Sequence, residues 1–215
     1  MKRFFIVIPI LLTLLASLSA CTAPSTKPAQ TKSLFSDDFS NTTSGWTVSN
    51  TVDGSIGYSA DSYTFLVNNP GTLLLANPGK SFPGDISVEV DARKMAGPDD
   101  NYFGVLCHYR DPQNYYVLMI TSDGYSGISM RKDGVDTLIS PGLKFLKMDG
   151  IKKSASTNHI RADCIGSTLT LYVNGNQVAT ASDSTLSGGD TGLFARTYDT
   201  GGVDILFHDF TVSAP

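Results

Sequence analysis

Asp-Gly at 123–124 and 133–134, and Asn-Gly at 174–175, each stand between two stretches in which apolar and polar residues alternate. This pattern constrains the fold more than any other feature of the chain. A period of two buries one face of a strand, and the dipeptides turn the chain back on itself. The alternation recurs in "DISVEVDAR", "YFGVLCHYR", "YYVLMIT", "GYSGISMRK", "HIRADCI" and "LTLYVNG". No stretch after residue 33 shows a sustained helical period with caps. Many short antiparallel strands around one core make an all-β sandwich or jelly roll over residues 34–215.

The N-terminus has a different character. Lys2 and Arg3 precede an almost wholly apolar run at 4–15, followed by small residues to Ala20. Such a segment reads as an export signal and is short for a membrane span. It ends in "LSAC", Leu18 to Cys21, which resembles the lipobox of bacterial lipoproteins. That resemblance implies cleavage before Cys21 and a diacylglycerol on its thiol; an ordinary signal cut after Ala20 is the alternative. The Pro-, Ser-, Thr- and Lys-rich segment 21–33 has nothing large and apolar to bury, so it is expected to be a tether. The expected location is therefore the cell envelope, outside the cytoplasm, with a membrane reached through the lipid.

Without Lys2 and Arg3, 14 basic residues face 20 acidic ones, a net charge of −6. A mildly acidic exported domain with no basic block argues against nucleic acid as a partner. With Cys21 lipidated, Cys107 and Cys164 remain. In an oxidising compartment that even number points to one disulfide. Both cysteines alternate in phase with apolar neighbours, so both sulfurs are expected to point into the sandwich. The three histidines are scattered and nothing has zinc-ligand spacing.

Burial sets the register of part of one sheet. A four-residue loop at 111–114 places Arg110 opposite Tyr115 and His108 opposite Val117. The core face then carries Phe103, Val105, Cys107, Tyr109, Tyr116, Leu118 and Ile120. At the next turn a three-residue loop, 122–124, sends Ile128 and Met130 inward, whereas a two-residue turn would bury Ser129 and Arg131. A one-residue slip inverts every side chain, so the longer loop is expected. "ISVEVDAR" turns Ile86, Val88, Val90 and Ala92 inward; paired with "FGVLCHYR", it brings Glu89 near His108. The opposite face gathers Glu89, His108, Arg110, Tyr115, Ser129 and Arg131 as candidate ligand-binding residues. Tyr beside Arg and His suits sugar hydroxyls and ring faces, or a carboxylated glycan. A solvated face whose charges pair among themselves is the alternative.

"FSDDFSNTTSGW", "YFGVLCHYRDPQNYY", "LTLYVNGNQVAT" and "GLFARTYDTGGVDILFHDFTV" together resemble the laminin-G-like, concanavalin-like jelly-roll domains of exported bacterial proteins. Some of those relatives carry the label of a 3-keto-disaccharide hydrolase domain. The resemblance implies two stacked sheets, one concave, in a class best known for binding glycans. Lectins, hydrolases and adhesion modules share that fold, so it does not decide function.

In "VEVDARK", the only Glu of the chain, Glu89, is followed by Asp91. This resembles the opening of the catalytic motif of laminarinase-type glucanases, whose pattern ends in a second Glu four or five residues on. Arg93 and Lys94 stand at those positions, and neither serves as acid/base at neutral pH. No nucleophile elbow, phosphate loop or metalloprotease helix occurs. Domains of the resembled type often hold a structural Ca²⁺ where the first and last strands meet, which nominates Asp38 and Asp209; strand-end capping by these acids is the alternative. No other cofactor is implied. Trp46, in "TSGW" beside the first strand, reads as a core plug more than as a sugar platform. The expected function is a non-catalytic glycan- or envelope-polymer-binding module. A structural or protein-interaction module and a disaccharide-directed glycosidase are the alternatives.

Overall fold

The alternation of the sequence is the burial pattern of the strands. A computed structural model describes residue 1 and residues 32–215. Cys21, the signal segment beyond Met1 and the tether up to residue 31 lie outside the described residues. Residues 32–215 belong to one compact unit. In chain order β1 (Lys32–Asp37) and β2 (Ser49–Thr51) precede β3 (Gly54–Tyr58), β4 (Tyr63–Val67) and β5 (Leu73–Ala76). Then come β6 (Ile86–Ala96), β7 (Asn101–Asp111), β8 (Asn114–Ile120), β9 (Tyr125–Lys132) and β10 (Val135–Leu138). The last are β11 (Leu146–Lys147), β12 (Asn158–Ile165), β13 (Thr168–Val173), β14 (Asn176–Ser182), β15 (Asp190–Thr197) and β16 (Val203–Ala214).

Two antiparallel sheets stack face to face. The first runs β14-β13-β12-β6-β16-β4-β3-β2, with β1 also on β16. The second runs β10-β9-β8-β7-β15-β5, with β11 on β9. The end strands that echo each other in sequence are neighbours: Asp37 pairs with Phe210. β1 begins at Lys32, two residues inside the expected tether.

Between the sheets, Ile86, Val88, Val90 and Ala92 of β6 meet Phe103, Val105, Cys107, Tyr116, Leu118 and Ile120 of β7 and β8, all buried. Cys107 and Cys164 are bonded across this core, with their Cα atoms 6.6 Å apart. Trp46 is only 4% exposed and packs edge-on against Phe39 and Phe210. Its indole N–H donates to Asp37 Oδ2 at 2.9 Å. It is a core plug.

The three-residue loop at 122–124 is present. Thr121 N donates to Tyr125 O, Gly124 has a φ of 97°, and Ile128 is fully buried. Only glycine adopts that φ cheaply, which is why a Gly closes the loop.

Two expectations of register fail. β6 and β7 do not pair: β6 lies in the first sheet between β12 and β16, and β7 in the second. The link at 97–100 is an arch from sheet to sheet. At Gly97, with a φ of 88°, a Cβ would lie 2.4 Å from Gly202 O, so the arch is pressed against the backbone before β16. Lys94 Nζ holds it by donating to Gly97 O at 2.6 Å and by pairing with Asp99. An arch and a hairpin both keep Val88 and Val105 inward, so alternation cannot tell them apart. Glu89 is therefore on the outer face of the first sheet, remote in topology from His108.

The β7–β8 hairpin also differs from expectation. Asp111 pairs with Asn114 around a two-residue turn, and Cys107 pairs with Tyr116. Residues 108–110 bulge opposite Tyr115 alone, with His108 at a φ of 50°. A bulge reverses the side chains beyond it. His108 is consequently buried, at 4% exposure, edge-on to the core residue Tyr116. Tyr109, expected in the core, swings to the outer face and stacks on Tyr115.

Candidate functional site

The outer face of the second sheet carries a second apolar cluster. Leu106, Tyr115, Val117, Met119 and Phe194 are buried there, flanked by Leu73, Tyr102, Leu138 and Phe145. Strand alternation explains each one. Tyr115, Val117 and Met119 are the outward residues of β8, and Phe194 and Arg196 alternate with inward Leu193 and Ala195 of β15. The segment after β10 folds back so that Phe145 and Leu138 lie above Gly127, where a Cβ would meet Phe145 at 2.8 Å. The backed-up segment walls a groove of about 260 Å³.

Aromatic faces line one end of the groove. Tyr102 lies 5.1 Å from Phe145 and 6.1 Å from Tyr198 between ring centroids, and Tyr198 is 51% exposed. The other end is polar. Arg131 Nη1 donates to both carboxylate oxygens of Asp136 at 2.9 Å. Arg196 Nη1 reaches Oδ2 of the same Asp136 at 3.7 Å. Ser129 lies on the groove wall beside them. Tyr115 sits directly opposite Arg131 and is 1% exposed. Burial pushes its phenol up to about 12. Its hydroxyl, and the Nε atoms of Arg131 and Arg196, are buried without any hydrogen-bond partner. Such orphan donors are uncommon, because each costs the desolvation of the group.

Of the six candidate ligand residues, Tyr115, Ser129 and Arg131 are therefore together, and the other three are elsewhere. Arg110 lies in the bulge, donating from Nη2 to Ser187 O at 3.1 Å. His108 is turned into the core rim, and burial lowers its pKa, so it is neutral at pH 7. Glu89 is on the other sheet. Tyr115 is also expected to offer a ring face; it is 1% exposed, with its ring stacked on Tyr109. Tyr102, Asp136, Phe145, Arg196 and Tyr198 were missed. For Arg196 a signal existed, since it alternates with Leu193 and Ala195, but the adjacent Phe194 left the phase of "GLFART" ambiguous.

On the outer face of the first sheet, His159 bridges the two acids of the glucanase-like motif. Its Nδ1 lies 2.8 Å from Asp91 Oδ1 and its Nε2 3.2 Å from Glu89 Oε2. Arg161, opposite Glu89, stacks on Tyr172 at 4.1 Å. Arg93 Nε donates to Ala155 O, and Lys94 is buried in the arch. Arg93 and Lys94 occupy the positions at which the glucanase pattern has its second Glu.

Asp38 and Asp209 line one hollow between β1 and β16, with Asp37, Asn41 and Ser44. Asp38 Oδ1 accepts from Ser40 N and Ser40 Oγ, which lowers its pKa. Asp37 Oδ1 accepts from Phe39 N at 2.8 Å. These are strand-end capping bonds. Among the described residues no group of three or more His, Cys, Asp or Glu side chains is placed to hold a metal. A calcium ion in this hollow would have to draw on backbone carbonyls and water.

The chain matches no protein-family model and no curated protein. Solved structures share its fold. It is similar to the carbohydrate-binding module CBM66 from Bacillus subtilis, at 18% identity and a TM-score of 0.58, covering 79% of this chain and 96% of that one. It is similar to the CBM2 module of the Dit protein of Lactobacillus casei BL23 phage J-1, at 13% identity and a TM-score of 0.59, covering 85% and 95%. It is also similar to a beta-glucanase of Bacillus licheniformis, at 11% identity and a TM-score of 0.60, covering 86% and 98%. At these identities the likeness establishes the concanavalin-like jelly roll and nothing finer.

Proposed function

We propose that the chain is a lipid-anchored, extracytoplasmic and non-catalytic carbohydrate-binding module. The observation that carries this reading is the groove on the second sheet. The exposed Tyr198 and the half-buried Tyr102 offer CH–π surface to a sugar ring, and the Arg131–Asp136–Arg196 end offers charged partners for hydroxyls. Pockets of this kind, mostly apolar with a few convergent polar groups, are the usual form of a small-ligand site. Two of the jelly-roll structures it resembles are themselves described as carbohydrate-binding modules.

Two features support a non-catalytic role. Retaining glycoside hydrolysis needs two carboxyls about 5–5.5 Å apart acting as nucleophile and acid/base. Here Glu89 and Asp91 are both engaged by one imidazole, and basic residues follow where a second acid is required. The export signal and lipobox support envelope placement.

A glycan array probed with the mature chain tests the reading. Wild type should bind, and Tyr102→Ala together with Tyr198→Ala should lower the signal at least tenfold while the melting temperature is kept. Binding that survives the double substitution would move the site away from this groove. Release of sugar from any bound glycan would show an enzyme.

A further inference from the structure

The polar end of the groove has more donors than it uses. A guanidinium carries five N–H donors and no acceptor. Arg131 and Arg196 converge on one carboxylate, Asp136, which is itself exposed. Two positive charges against one negative leave a surplus of one. Both Nε atoms are buried without a partner, and so is the Tyr115 hydroxyl. These three donors belong to one locality: Arg131, Asp136 and Arg196 are charged neighbours of the Tyr115 phenol. The strands deliver them by register. Arg131 faces Tyr115 across β8 and β9, and Asp136 faces Arg131 across β9 and β10.

The opposite end of the groove has the opposite sign. Arg196 pairs with Tyr102 across β15 and β7, and beyond Tyr102 stand Asp100, Asp123 and Asp199. A ligand with a negative charge on every unit would meet repulsion there. A ligand with one negative charge at one end would meet attraction at the arginines and an aromatic, acid-flanked surface for its uncharged remainder.

Resting on the carbohydrate-binding reading above, we infer that the Arg131–Arg196–Tyr115 end is a subsite for a sugar bearing one monoanionic substituent, a uronate carboxylate or a sulfate ester. Such a group accepts from the Nη donors of Arg196, which is 40% exposed and lines the groove beside Asp136, and it balances the surplus charge. Carboxylate and sulfate oxyanions match the planar fork of arginine far better than a hydroxyl does. Asp136 holds the two guanidiniums in place when the subsite is empty, and it remains beside them when the subsite is filled.

The experiment uses the full chain in mild detergent on a printed array of neutral, uronate-bearing and sulfated glycans, at low and at physiological salt. The same array is probed with Arg196→Gln, a residue whose loss leaves Asp136 paired with Arg131. Thermal melts confirm that the variant is folded. The expected result is that acidic glycans dominate the wild-type signal, weaken as salt rises and lose at least tenfold in Arg196→Gln. Uronate-only or sulfate-only hits each support the subsite and identify its ligand. Hits confined to neutral glycans overturn the anionic subsite while carbohydrate binding stands. Acidic hits that persist unchanged in Arg196→Gln overturn it too. A blank array overturns both readings together.

Discussion

Cys107 on β7 and Cys164 on β12 face each other across the core and tie the two sheets together, their Cα atoms 6.6 Å apart. Among the described residues it is the only side-chain cross-link between the layers. The cross-link encloses residues 57 apart in sequence. In the chain-entropy treatment a loop of that length stabilises the fold by about 4 kcal/mol. The double substitution Cys107→Ala and Cys164→Ala should lower the unfolding free energy by roughly that amount, with a further loss from the vacated sulfurs. Guanidinium unfolding of the two proteins measures it. Equal stability would show that the bridge only decorates a core held by Val88, Val105 and Leu118.

Tyr115 makes an opposite prediction, because its hydroxyl contributes nothing to the free fold. The ring is buried against Tyr109 and the phenol oxygen has no partner. Removing an unsatisfied buried hydroxyl is neutral or stabilising. Tyr115→Phe should leave stability within about 1 kcal/mol of wild type, or above it. A clear fall in melting temperature would mean that the hydroxyl is satisfied in the free protein.

Periodicity made one sheet legible and hid the other's position. Alternation alone turns Ile86, Val88 and Val90 inward, and the 122–124 loop follows from the cost of burying Arg131. Both hold, since each rests on a local choice between burying apolar and burying charged side chains. The partner of β6 was not local information. An arch at 97–100 and a hairpin give the same inward set, and what selects the arch is Gly97 against the Gly202 backbone and Lys94 on Asp99. Neither contact is visible before the chain is folded. The bulge at 108–110 is similar: it turns His108 in and Tyr109 out without changing the composition of the strand. Phe145 reaches the groove through a return of the chain after β10, beyond any pattern of a single strand.

The single tryptophan should be blind to the ligand. Trp46 lies in an aromatic cluster with Phe39, Tyr63 and Phe210, bonded to Asp37. It is absent from the residues that line the groove. Its emission should be blue-shifted, resist acrylamide quenching and stay constant through a glycan titration that calorimetry shows to saturate. Trp46→Phe should cost about 2–4 kcal/mol, through lost packing and an unpaired Asp37 oxygen. Quenching by sugar would place a ligand beside the β1–β16 hollow instead.

Asp190 gives the fold an unusual response to acid. It accepts from Lys80 N at 3.0 Å and from Thr191 N at 2.8 Å, yet burial outweighs these bonds and pushes its pKa up from 3.8 to about 6. Between those values the folded state holds a proton that the unfolded state has lost. Its contribution to stability is therefore complete below about pH 4 and disappears as pH rises through about 6. Burial raises Asp100 and Asp204 in the same sense. Urea unfolding at pH 5 and pH 7 should show wild type gaining on Asp190→Asn as the pH falls, by on the order of 1–2 kcal/mol. A difference that stays flat between the two pH values would place the Asp190 pKa in the ordinary carboxylate range.

The N-terminal prediction concerns Cys21, outside the described residues. Its warrant is chemical. A signal ending in small residues directly before a cysteine resembles a lipobox, and one acyl chain alone anchors a protein only marginally, whereas two or more hold it stably. β1 starts at Lys32, eleven residues after Cys21. The membrane-extracted protein should have the mass of the chain from Cys21 plus a diacylglycerol. Cys21→Ser should release the module from the membrane fraction with its fold and glycan binding intact. Wild-type protein found soluble, beginning at an unmodified Cys21, would refute the anchor and leave the fold and the groove untouched.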